Sequence, residues 1–323
     1  MRKLITLIVV DYKTMEKTVR YLEMCLEKTV PAEDLHMVIV DNDEGGRDSL
    51  SVLERLTGQM PEDTGMTIKE KRIFSGKIKG KEYLYVAAWE NLGYAKGNNL
   101  GAAAAAKIYP KDAAYLFSNN DLRMREEVRL SCLMEPIKAL PEVAAVGPKI
   151  IGPDGEAQTP WKKTGVVKQM FLRYLNLLLP RFCKISRFIT DLDTRTTGES
   201  RYVYWLSGSF LLVDADVFNR IGGFDEGTFL YCEEMILAEK LLLERKKMYY
   251  ENSVTLIHEH GQTMKRTWKS LEGICFQFES SLYYFKKYRG MSTFTEVLAK
   301  MHFRVFKALF SLKKSLLGRK KNI

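Results

Sequence analysis

The sequence predicts an α/β fold in which a mostly parallel central sheet carries helices on both faces and a helical C-terminal extension follows. Residues 4–10 and 37–40 are nearly continuous runs of Leu, Ile, Val and Met. Such runs are typical of parallel strands buried on both faces, whereas half-exposed strands alternate apolar and polar residues. Residues 16–28, between the two runs, have helical spacing. This strand–helix–strand order predicts the layered α/β class.

The later elements follow from the same patterns. Residues 61–82 are polar and charged, which predicts a loop or an exposed hairpin. The alanine-rich stretch 100–107 is a strong helix former. The other expected elements are strands near 84–87, 113–118 and 144–146 and helices near 125–139, 268–288 and 293–317.

Residues 161–188 stand apart because they carry seven Lys or Arg and no acid, interleaved with Met, Phe, Tyr and Leu. This composition is typical of an amphipathic helix that lies on a surface.

The net charge of +10 lies entirely in residues 285–323, which contain eleven Lys or Arg and one acid, Glu296. A basic tail on a neutral body argues against a nucleic-acid-binding protein and for a local electrostatic anchor. Apolar residues of this tail recur at three- and four-residue spacing, namely Val297, Leu298, Met301, Val305, Leu309, Leu312 and Leu316. They predict one apolar helix face, which either packs on the rest of the chain or lies on an anionic membrane surface.

Features of secretion and of membrane spans are missing from the sequence pattern. Asp11 ends the first apolar run too early for a signal peptide, and no uncharged apolar run reaches the ~18 residues of a span. The five cysteines are scattered and lack C-x-x-C spacing, which indicates reduced thiols in the cytoplasm and no zinc site or disulfide frame.

Polar residues end three of the predicted strands, at Asp11-Tyr12, Asp41 and residues 119–121. A single case would be ordinary turn chemistry. Three together predict a ligand site, because open α/β sheets bind ligands at the carboxyl ends of their strands. No G-x-G-x-x-G follows the first strand, which argues against dinucleotide binding.

Residues 203–261 carry the densest series of motifs. An apolar strand, the turn at Gly222-Gly223, the acidic pair Glu233-Glu234 opening a helix, and a strand ending at His258 follow in order. A carboxylate at a helix start is stabilised by the helix dipole and can take a proton from a substrate.

In residue types and in order these motifs resemble those of the family 2 inverting glycosyltransferases, especially the rhamnosyltransferase-like branch that builds bacterial surface polysaccharides. The matching segments are Asn91–Gly101, Asn119–Asp121, Trp205–Gly208, Gly222–Glu226, Glu233-Glu234 and His258. The resemblance covers nearly all of residues 4–261. It implies the GT-A fold and transfer of a sugar from a nucleotide diphosphate to a hydroxyl group.

The resemblance also implies roles for single residues. Contacts to the nucleotide sugar are expected from Asp11, Tyr12, Asp41, Asn91, Gly93, Lys96, Asn98 and Asn120. Gly93, Gly97 and Gly101 are expected to let the backbone approach a ligand closely. Asp121, Asn119 and His258 would hold Mg²⁺ or Mn²⁺ against the diphosphate. The acceptor side would be lined by Trp205, Ser207, Gly208 and Asp225, and Glu234 would be the general base.

A division of the chain follows from the same resemblance. Residues 1–265 would form the catalytic domain, with a nucleotide half up to about 121 and an acceptor half from 122, and residues 266–323 a basic amphipathic helical extension. The expected partners are a UDP- or dTDP-linked sugar, a glycan or lipid-linked acceptor and an anionic membrane surface. The expected location is cytoplasmic, peripheral at the inner face of the plasma membrane.

Two departures from the family pattern leave alternatives open. The family's acidic pair is usually Glu-Asp with a further Asp two residues on, whereas this chain has Glu233-Glu234 and Ile236. The base is therefore Glu234 or Glu233, and a catalytically inactive subunit that binds sugar nucleotides is the rival function. A nucleotidyltransferase would need a glycine-rich phosphate loop after the first strand, which residues 11–14 lack.

Overall fold

The computed structural model describes residues 4–178, 192–193, 198–259 and 270–319. The strands are β1 Ile5–Asp11, β2 Thr29–Val30, β3 Leu35–Asp41, β4 Glu62–Ile68, β5 Lys71–Ile78, β6 Lys81–Ala87, β7 Ala114–Ser118, β8 Leu122–Arg123, β9 Val128–Arg129, β10 Val143–Ile151, β11 Arg201–Val203, β12 Phe210–Asp214 and β13 Lys247–His258. The helices are α1 Met15–Lys28, α2 Gly46–Thr57, α3 Gly93–Ile108, α4 Leu130–Ala139, α5 Arg173–Leu178, α6 Ala215–Arg220, α7 Glu233–Leu243, α8 Leu271–Tyr288 and α9 Thr293–Arg319.

The central sheet has the strand order β11-β13-β10-β12-β7-β1-β3-β6-β5-β4, with β8 beside β13. Strands β7, β1, β3 and β6 are parallel. Asp11 at the end of β1 is in register with Asp41 at the end of β3. The predicted polar strand ends therefore meet at one edge of the sheet.

Both ends of the sheet contain antiparallel strands, so the expectation of a mostly parallel sheet holds for its centre and the whole sheet is mixed. The segment predicted as a loop or hairpin forms the antiparallel strands β4 and β5, which continue into β6. On the other side β12 runs antiparallel to β7 and to β10. Because of this direction, the start of β12 lies beside the carboxyl end of β7.

Helices cover both faces of the sheet, as predicted. One apolar cluster packs α1, α2 and α4 on the sheet through residues such as Val19, Leu53 and Leu133. The other packs α3, α6 and α7 on the opposite face, for example through Phe218 and Leu237. Each large apolar side chain buried in this way contributes roughly 1.5–3 kcal/mol to the stability of the fold.

The C-terminal helices pack on the rest of the chain through a third apolar cluster. The rings of Phe278 on α8 and Phe303 on α9 stack with centroids 3.9 Å apart. Met170 and Tyr174, from the segment predicted as a surface helix, are buried against them. That segment forms a π-helical turn followed by α5, and residues 179–188 lie outside the described part of the chain. None of the helices in the described ranges combines the length and apolar character of a membrane span.

Candidate active site

The polar strand ends converge with the segment before β12. The backbone N–H of Asn119, just after β7, donates to the carbonyl of Ser209 at 2.9 Å. This bond brings residues 119–121 next to Ser207–Ser209. Segments 119–121 and 207–209, far apart in sequence, thus meet at the carboxyl edge of the parallel strands.

Asp11 and Asn120 are held together by a network of hydrogen bonds at this edge. The Asp11 carboxylate accepts from the hydroxyls of Thr14 at 2.8 Å and Thr18 at 2.6 Å, and from the Thr14 N–H at 3.1 Å. The Asn120 amide donates to the same carboxylate at 3.2 Å. Asp11 is fully buried. Its carboxylate therefore joins β1, α1 and the segment after β7, and Tyr12 beside it is exposed.

Asp41 is also buried, and aromatic residues that the sequence reasoning missed surround it. The Asp41 carboxylate accepts hydrogen bonds from the hydroxyl of Tyr85 and from the backbone N–H of Asp43. The backbone N–H of Trp89 donates to the backbone carbonyl of Asp41. Burial raises the pKa of the Asp41 carboxyl to about 6, although the Tyr85 hydrogen bond opposes this shift. The indole of Trp89 lies against Gly46 at the start of α2, where a Cβ would fall 1.8 Å from the ring.

Gly93 forms the turn that leads into α3. Its φ of +73° is left-handed, and a Cβ there would lie 2.3 Å from the carbonyl oxygen of Phe229. Asn91 caps the turn by accepting from the Gly93 N–H at 3.2 Å, and Asn42 donates to the Gly93 carbonyl at 3.1 Å. Glycine is required here because the turn presses against the backbone of the Phe229 segment.

Two of the other loop glycines lie against β1. Cβ atoms at Gly97 and Gly101 would lie 3.0 Å from Val10 and 2.5 Å from Ile8, so these glycines let α3 pack closely on β1. Packing of α3 on β1 therefore accounts for both glycines, and their predicted approach to a ligand stays a prediction.

The polar residues of α3 also divide into different environments. Lys96 is exposed, and Asn98 is buried with its amide donating to the Tyr94 carbonyl at 3.0 Å within α3. The neighbouring Asn99, which was missed, exchanges hydrogen bonds with the backbone of Phe224 at 2.8 and 2.9 Å. Asn99 thereby ties α3 to the glycine-rich turn.

Glu234 is the acidic residue that faces the strand edge. Its carboxylate accepts from the N–H of Gly208 at 2.8 Å, and the Tyr94 hydroxyl donates to the Gly208 carbonyl at 2.8 Å. A Cβ at Gly208 would lie 2.4 Å from both the Glu234 carboxylate and the Tyr94 hydroxyl. Gly208 therefore has no room for a side chain, and its backbone orients the Glu234 carboxylate.

Glu233, one residue earlier, turns into the protein. Its side chain is 2 % exposed and its Oε1 has no hydrogen-bond partner among the described residues. Tyr231 and Cys232, which precede it, both have left-handed φ values of 76° and 71°. Two consecutive non-glycine residues in this conformation are strained, and such strain concentrates at functional sites. This turn sets the orientation of the acidic pair.

The two carboxyls have raised pKa values for related reasons. Burial raises the pKa of Glu233 to about 8, and the negative charge of Glu234 adds to the shift. Burial also raises the pKa of Glu234, while the hydrogen bond from Gly208 opposes it. A carboxylate with a raised pKa is a stronger base, so the environment of Glu234 favours proton transfer.

Ile236, where the family has a further aspartate, is fully buried and packs in the third apolar cluster. A carboxylate at that position would be buried among apolar side chains. The isoleucine that replaces the family's aspartate therefore suits its apolar surroundings.

Asp121 and His258 form the candidate metal centre. His258 Nε2 lies 3.0 Å from the Asp121 carboxylate, and His258 Nδ1 lies 2.9 Å from Gln158 Oε1. Gln158 thereby orients the imidazole so that Nε2 points towards the Asp121 carboxylate. A metal-binding imidazole is commonly oriented in this way by a hydrogen bond to its other nitrogen. Asn119 lies two residues away from Asp121, with its side chain partly exposed.

The pair offers two side chains of metal-ligand type, fewer than a site built from protein ligands alone requires. Among the described residues no group of three or more His, Cys, Asp and Glu side chains could hold a metal. Asp121 and His258 would supply an oxygen and a nitrogen ligand, and diphosphate oxygens would have to supply others.

Trp205 on the expected acceptor side is stacked on a second tryptophan. The rings of Trp161 and Trp205 lie 5.1 Å apart and nearly parallel, and their backbones pair. The indole nitrogen of Trp205 is buried without a hydrogen-bond partner within the described ranges. Ser207 turns its hydroxyl to that of Ser209 at 2.9 Å. Trp161 was missed because it lies outside the sequence motif that contains Trp205.

Asp225 is engaged by α8. Its carboxylate accepts from the hydroxyls of Tyr283 and Tyr288 and from Lys287 Nζ at 2.8 Å. These contacts hold its pKa well below the ordinary value. Asp225 thus ties the glycine-rich turn to the C-terminal helices.

Comparison with a solved structure defines the class of fold. The crystal structure of GalNAc-T7 with UDP, GalNAc and Mn²⁺ superposes with a TM-score of 0.50 at 13% sequence identity, covering 80% of this chain and 43% of that one. The fold is therefore that of the GT-A glycosyltransferases, as predicted.

Sequence comparison narrows the resemblance. The chain is 28% identical over 138 residues to the N-acetylglucosaminyl-diphospho-decaprenol L-rhamnosyltransferase of two Mycobacterium tuberculosis strains, covering 42% of this chain and 44% of the relative. It is 39% identical over 87 residues to rhamnosyltransferase WbbL of Escherichia coli K12, covering 24% of this chain and 33% of the relative. The chain thus spans less than half the length of these relatives. No protein-family model matches it. The resemblance to rhamnosyltransferase-like glycosyltransferases is confirmed.

Proposed function

We propose that this protein is an inverting glycosyltransferase that moves a hexose or deoxyhexose from a nucleotide diphosphate to a hydroxyl of a glycan or lipid-linked acceptor. The observation that carries the proposal is the position of Glu234. Its carboxylate accepts a hydrogen bond from the Gly208 N–H at 2.8 Å. Gly208 belongs to the segment whose Ser209 contacts Asn119 at the carboxyl edge of a GT-A sheet. The rhamnosyltransferase relatives support the same reaction class.

The proposed reaction is a single displacement. Glu234 takes the proton of the acceptor hydroxyl, the hydroxyl oxygen bonds to the anomeric carbon, and the bond from that carbon to the diphosphate breaks. The nucleoside diphosphate leaves with the bonding electron pair. The Gly208 N–H and the raised pKa of Glu234 prepare the carboxylate for this step. Glu233, whose carboxyl is buried, keeps a structural role.

The nucleotide would bind along the ends of β1, β3 and β7. Asp41 and Trp89 offer a carboxylate and an aromatic ring beside the end of β3. Asp121 and His258 would hold Mg²⁺ or Mn²⁺, and the cation would offset the negative charge of the diphosphate. Manganese in the GalNAc-T7 structure supports this assignment.

The acceptor is inferred from the name of one relative. The mycobacterial relative acts on a diphospho-decaprenol acceptor by its name. We extend to this chain a lipid-linked acceptor in surface polysaccharide synthesis. Residues 1–265 would act as the catalytic domain, at the cytoplasmic face of the plasma membrane.

The experiment that tests the function is a screen of UDP-, dTDP- and GDP-sugars for thermal stabilisation of the protein, followed by assays of sugar transfer and hydrolysis. Stabilisation by one sugar nucleotide, with turnover, is expected. Stabilisation without turnover on any acceptor would favour the inactive binding subunit. No stabilisation by any of them would contradict both.

The metal assignment predicts the effect of Asp121→Asn. The amide lacks the charge that a hard cation requires, so Mn²⁺-dependent nucleotide affinity should fall about tenfold or more, while metal-free affinity should stay unchanged. Calorimetry with UDP or dTDP, with and without Mn²⁺, measures this. Asp154→Asn, an exposed turn residue, is the control. Identical titrations of Asp121→Asn and the parent protein would show that Asp121 holds no metal.

A further inference from the structure

Helix α9 has two apolar faces, and within the described part of the chain only one of them is covered. The inward face contains Ala299, Phe303 and Phe306, which are at most 5 % exposed and pack in the third apolar cluster. The outward face consists of exposed apolar residues, namely Phe294, Val297, Leu298, Met301, Val305, Leu309 and Leu312. Six of these residues belong to the predicted apolar face, and Phe294 adds to it. The side chain of Leu316, also predicted there, lies outside the described part.

The outward face of α9 is larger than the scattered exposure that is ordinary on a protein surface. Met301, Val305 and Leu312 are 56 %, 60 % and 57 % exposed, and Phe294 is 73 % exposed. The helix has 27 residues and is about 40 Å long. A contiguous apolar surface of this kind normally marks a site of interaction.

A neighbouring segment extends the same surface. Phe171 contacts His302 with ring centroids 5.2 Å apart, and Lys313 Nζ donates to the Leu178 carbonyl at 3.1 Å, so α5 runs beside α9. Leu172 and Leu175 in this segment are 40 % and 43 % exposed.

The charges around the outward face are positive. Lys300, Arg304 and Lys307 lie on the same helix, between its two apolar faces. The one acid of α9, Glu296, is buried and already paired with Lys286 at 2.9 Å and Lys300 at 2.6 Å. A second copy of the chain would bring two basic tails together, which is unfavourable. A binding partner that is complementary to this surface has an apolar interior for the exposed side chains and an anionic exterior for the basic ones.

We propose that the outward face of α9 lies in the interface of an anionic phospholipid bilayer, with Lys300, Arg304 and Lys307 at the level of the headgroups. Helices with an apolar face and a basic polar face bind membranes in this way. The choice of a bilayer draws on the proposed lipid-linked acceptor, but the binding itself is measured without any transfer reaction.

The packing also connects this surface to the candidate active site. Helix α9 packs on α8 through Phe303 and Phe278, and α8 holds Asp225 through Tyr283. The hydroxyl of Ser280 on α8 donates to the Leu230 carbonyl at 2.7 Å, three residues before Glu233. A bilayer that contacts α9 would therefore support the helix that positions the acceptor side.

The test is co-sedimentation of the full-length protein with vesicles of phosphatidylcholine and phosphatidylglycerol, and with vesicles of phosphatidylcholine alone. The variant Met301→Gln/Val305→Asn removes apolar surface without changing charge and should weaken binding to the anionic vesicles about tenfold. The control Leu242→Gln/Leu243→Gln changes two exposed leucines of α7 and should bind within about twofold of the parent protein.

A second pair of variants tests the charges. Arg304→Gln/Lys307→Gln should weaken binding to anionic vesicles about twentyfold, because each basic residue near the surface contributes about a fivefold effect. The control Lys77→Gln/Lys111→Gln removes the same charge from exposed positions of the body and should have a much smaller effect. Binding of the parent protein should also fall as the salt concentration rises.

Three results would overturn the proposal. The first is no binding of the parent protein to anionic vesicles, and the second is equal binding by the parent and Met301→Gln/Val305→Asn. The third is a concentration-dependent dimer in sedimentation velocity that this variant abolishes, which would assign the outward face to a second copy. All three can be observed whether or not the protein transfers sugars.

Discussion

Asp11 at the end of β1 and the acidic pair at the start of α7 have different hydrogen-bond environments, although both lie at the same candidate site. Asp11 accepts hydrogen bonds from Thr14, Thr18 and Asn120. The Glu234 carboxylate accepts a hydrogen bond from the Gly208 backbone, and Oε1 of Glu233 is buried without a partner in the described ranges.

This difference separates structural carboxylates from reactive ones. A carboxylate whose lone pairs are already occupied by the protein stabilises the fold and is a poor proton acceptor. A buried carboxylate with few donors has a raised pKa and retains lone pairs for a substrate. The following substitutions test that distinction.

The largest effect is expected from Glu234→Gln. An amide cannot take a proton from the acceptor, so kcat should fall by roughly 10²–10⁴-fold while nucleotide affinity stays within a few-fold. Steady-state transfer assays and calorimetry measure the two quantities. The control is Glu244→Gln, an exposed residue just after α7. Normal turnover by Glu234→Gln would remove the role of base from this residue.

The next largest effect should come from Gly208→Ala. The new methyl group would lie 2.4 Å from the Glu234 carboxylate and the Tyr94 hydroxyl, so one of them must move. A displaced base should lower kcat about tenfold or more, with a smaller effect on nucleotide affinity. Gly165→Ala is the matched control, because a Cβ there has no atom within 4 Å. Equal kcat values for both variants would show that Gly208 does not orient the base.

Asp11→Asn should mainly destabilise the fold. The amide places an NH₂ group among donors that now bond to a carboxylate, which should lower the free energy of unfolding by about 3 kcal/mol. Urea denaturation measures this. Asp63→Asn removes an exposed ion pair with Arg72 and should change stability much less, because solvent screens such a pair. A fully stable Asp11→Asn protein with lost nucleotide binding would reverse the distinction.

The smallest effect is a stability gain from Glu233→Gln that depends on pH. Because folding raises the pKa of Glu233 from 4.5 to about 8, the parent protein loses stability as the pH rises between these values. Glutamine carries no charge, so the variant should equal the parent below pH 4.5. Above pH 8 the variant should be more stable than the parent protein, because it avoids burying the charged carboxylate. Thermal unfolding across this range gives the difference, and a gain that is the same at every pH would contradict a buried, neutral Glu233.

The order of strands and helices could be predicted because hydrophobic periodicity is a local property. The runs before Asp11 and Asp41 form β1 and β3, and the polar stretch after residue 60 forms a hairpin. Helix α4 begins at Leu130, later than predicted, because Val128–Arg129 pair with Thr29–Val30. Such a distant partner leaves no signal in the local pattern.

The candidate site could be predicted only as a set of segments. That Asp11, Asp41 and Asn119–Asp121 share one edge follows from parallel strands and their carboxyl ends. The stacking of Trp161 on Trp205 and the link from Asn99 to Phe224 join segments 44 and 125 residues apart. These contacts depend on how the chain returns on itself.

The sequence by itself determined the α/β class, the polar strand ends, an acidic pair at a helix start and a basic tail with an apolar face. Each is a pattern of neighbouring residues with a fixed geometric meaning in a helix or strand. Only the tertiary structure decided which glutamate of the pair faces the site and which apolar face of α9 is covered. Consecutive residues of a helix point about 100° apart, so the rotation of α7 and α9 about their axes selects between them. Contacts with Gly208 and with Phe278 set that rotation, and each joins residues at least 25 positions apart, beyond the reach of a helical pattern.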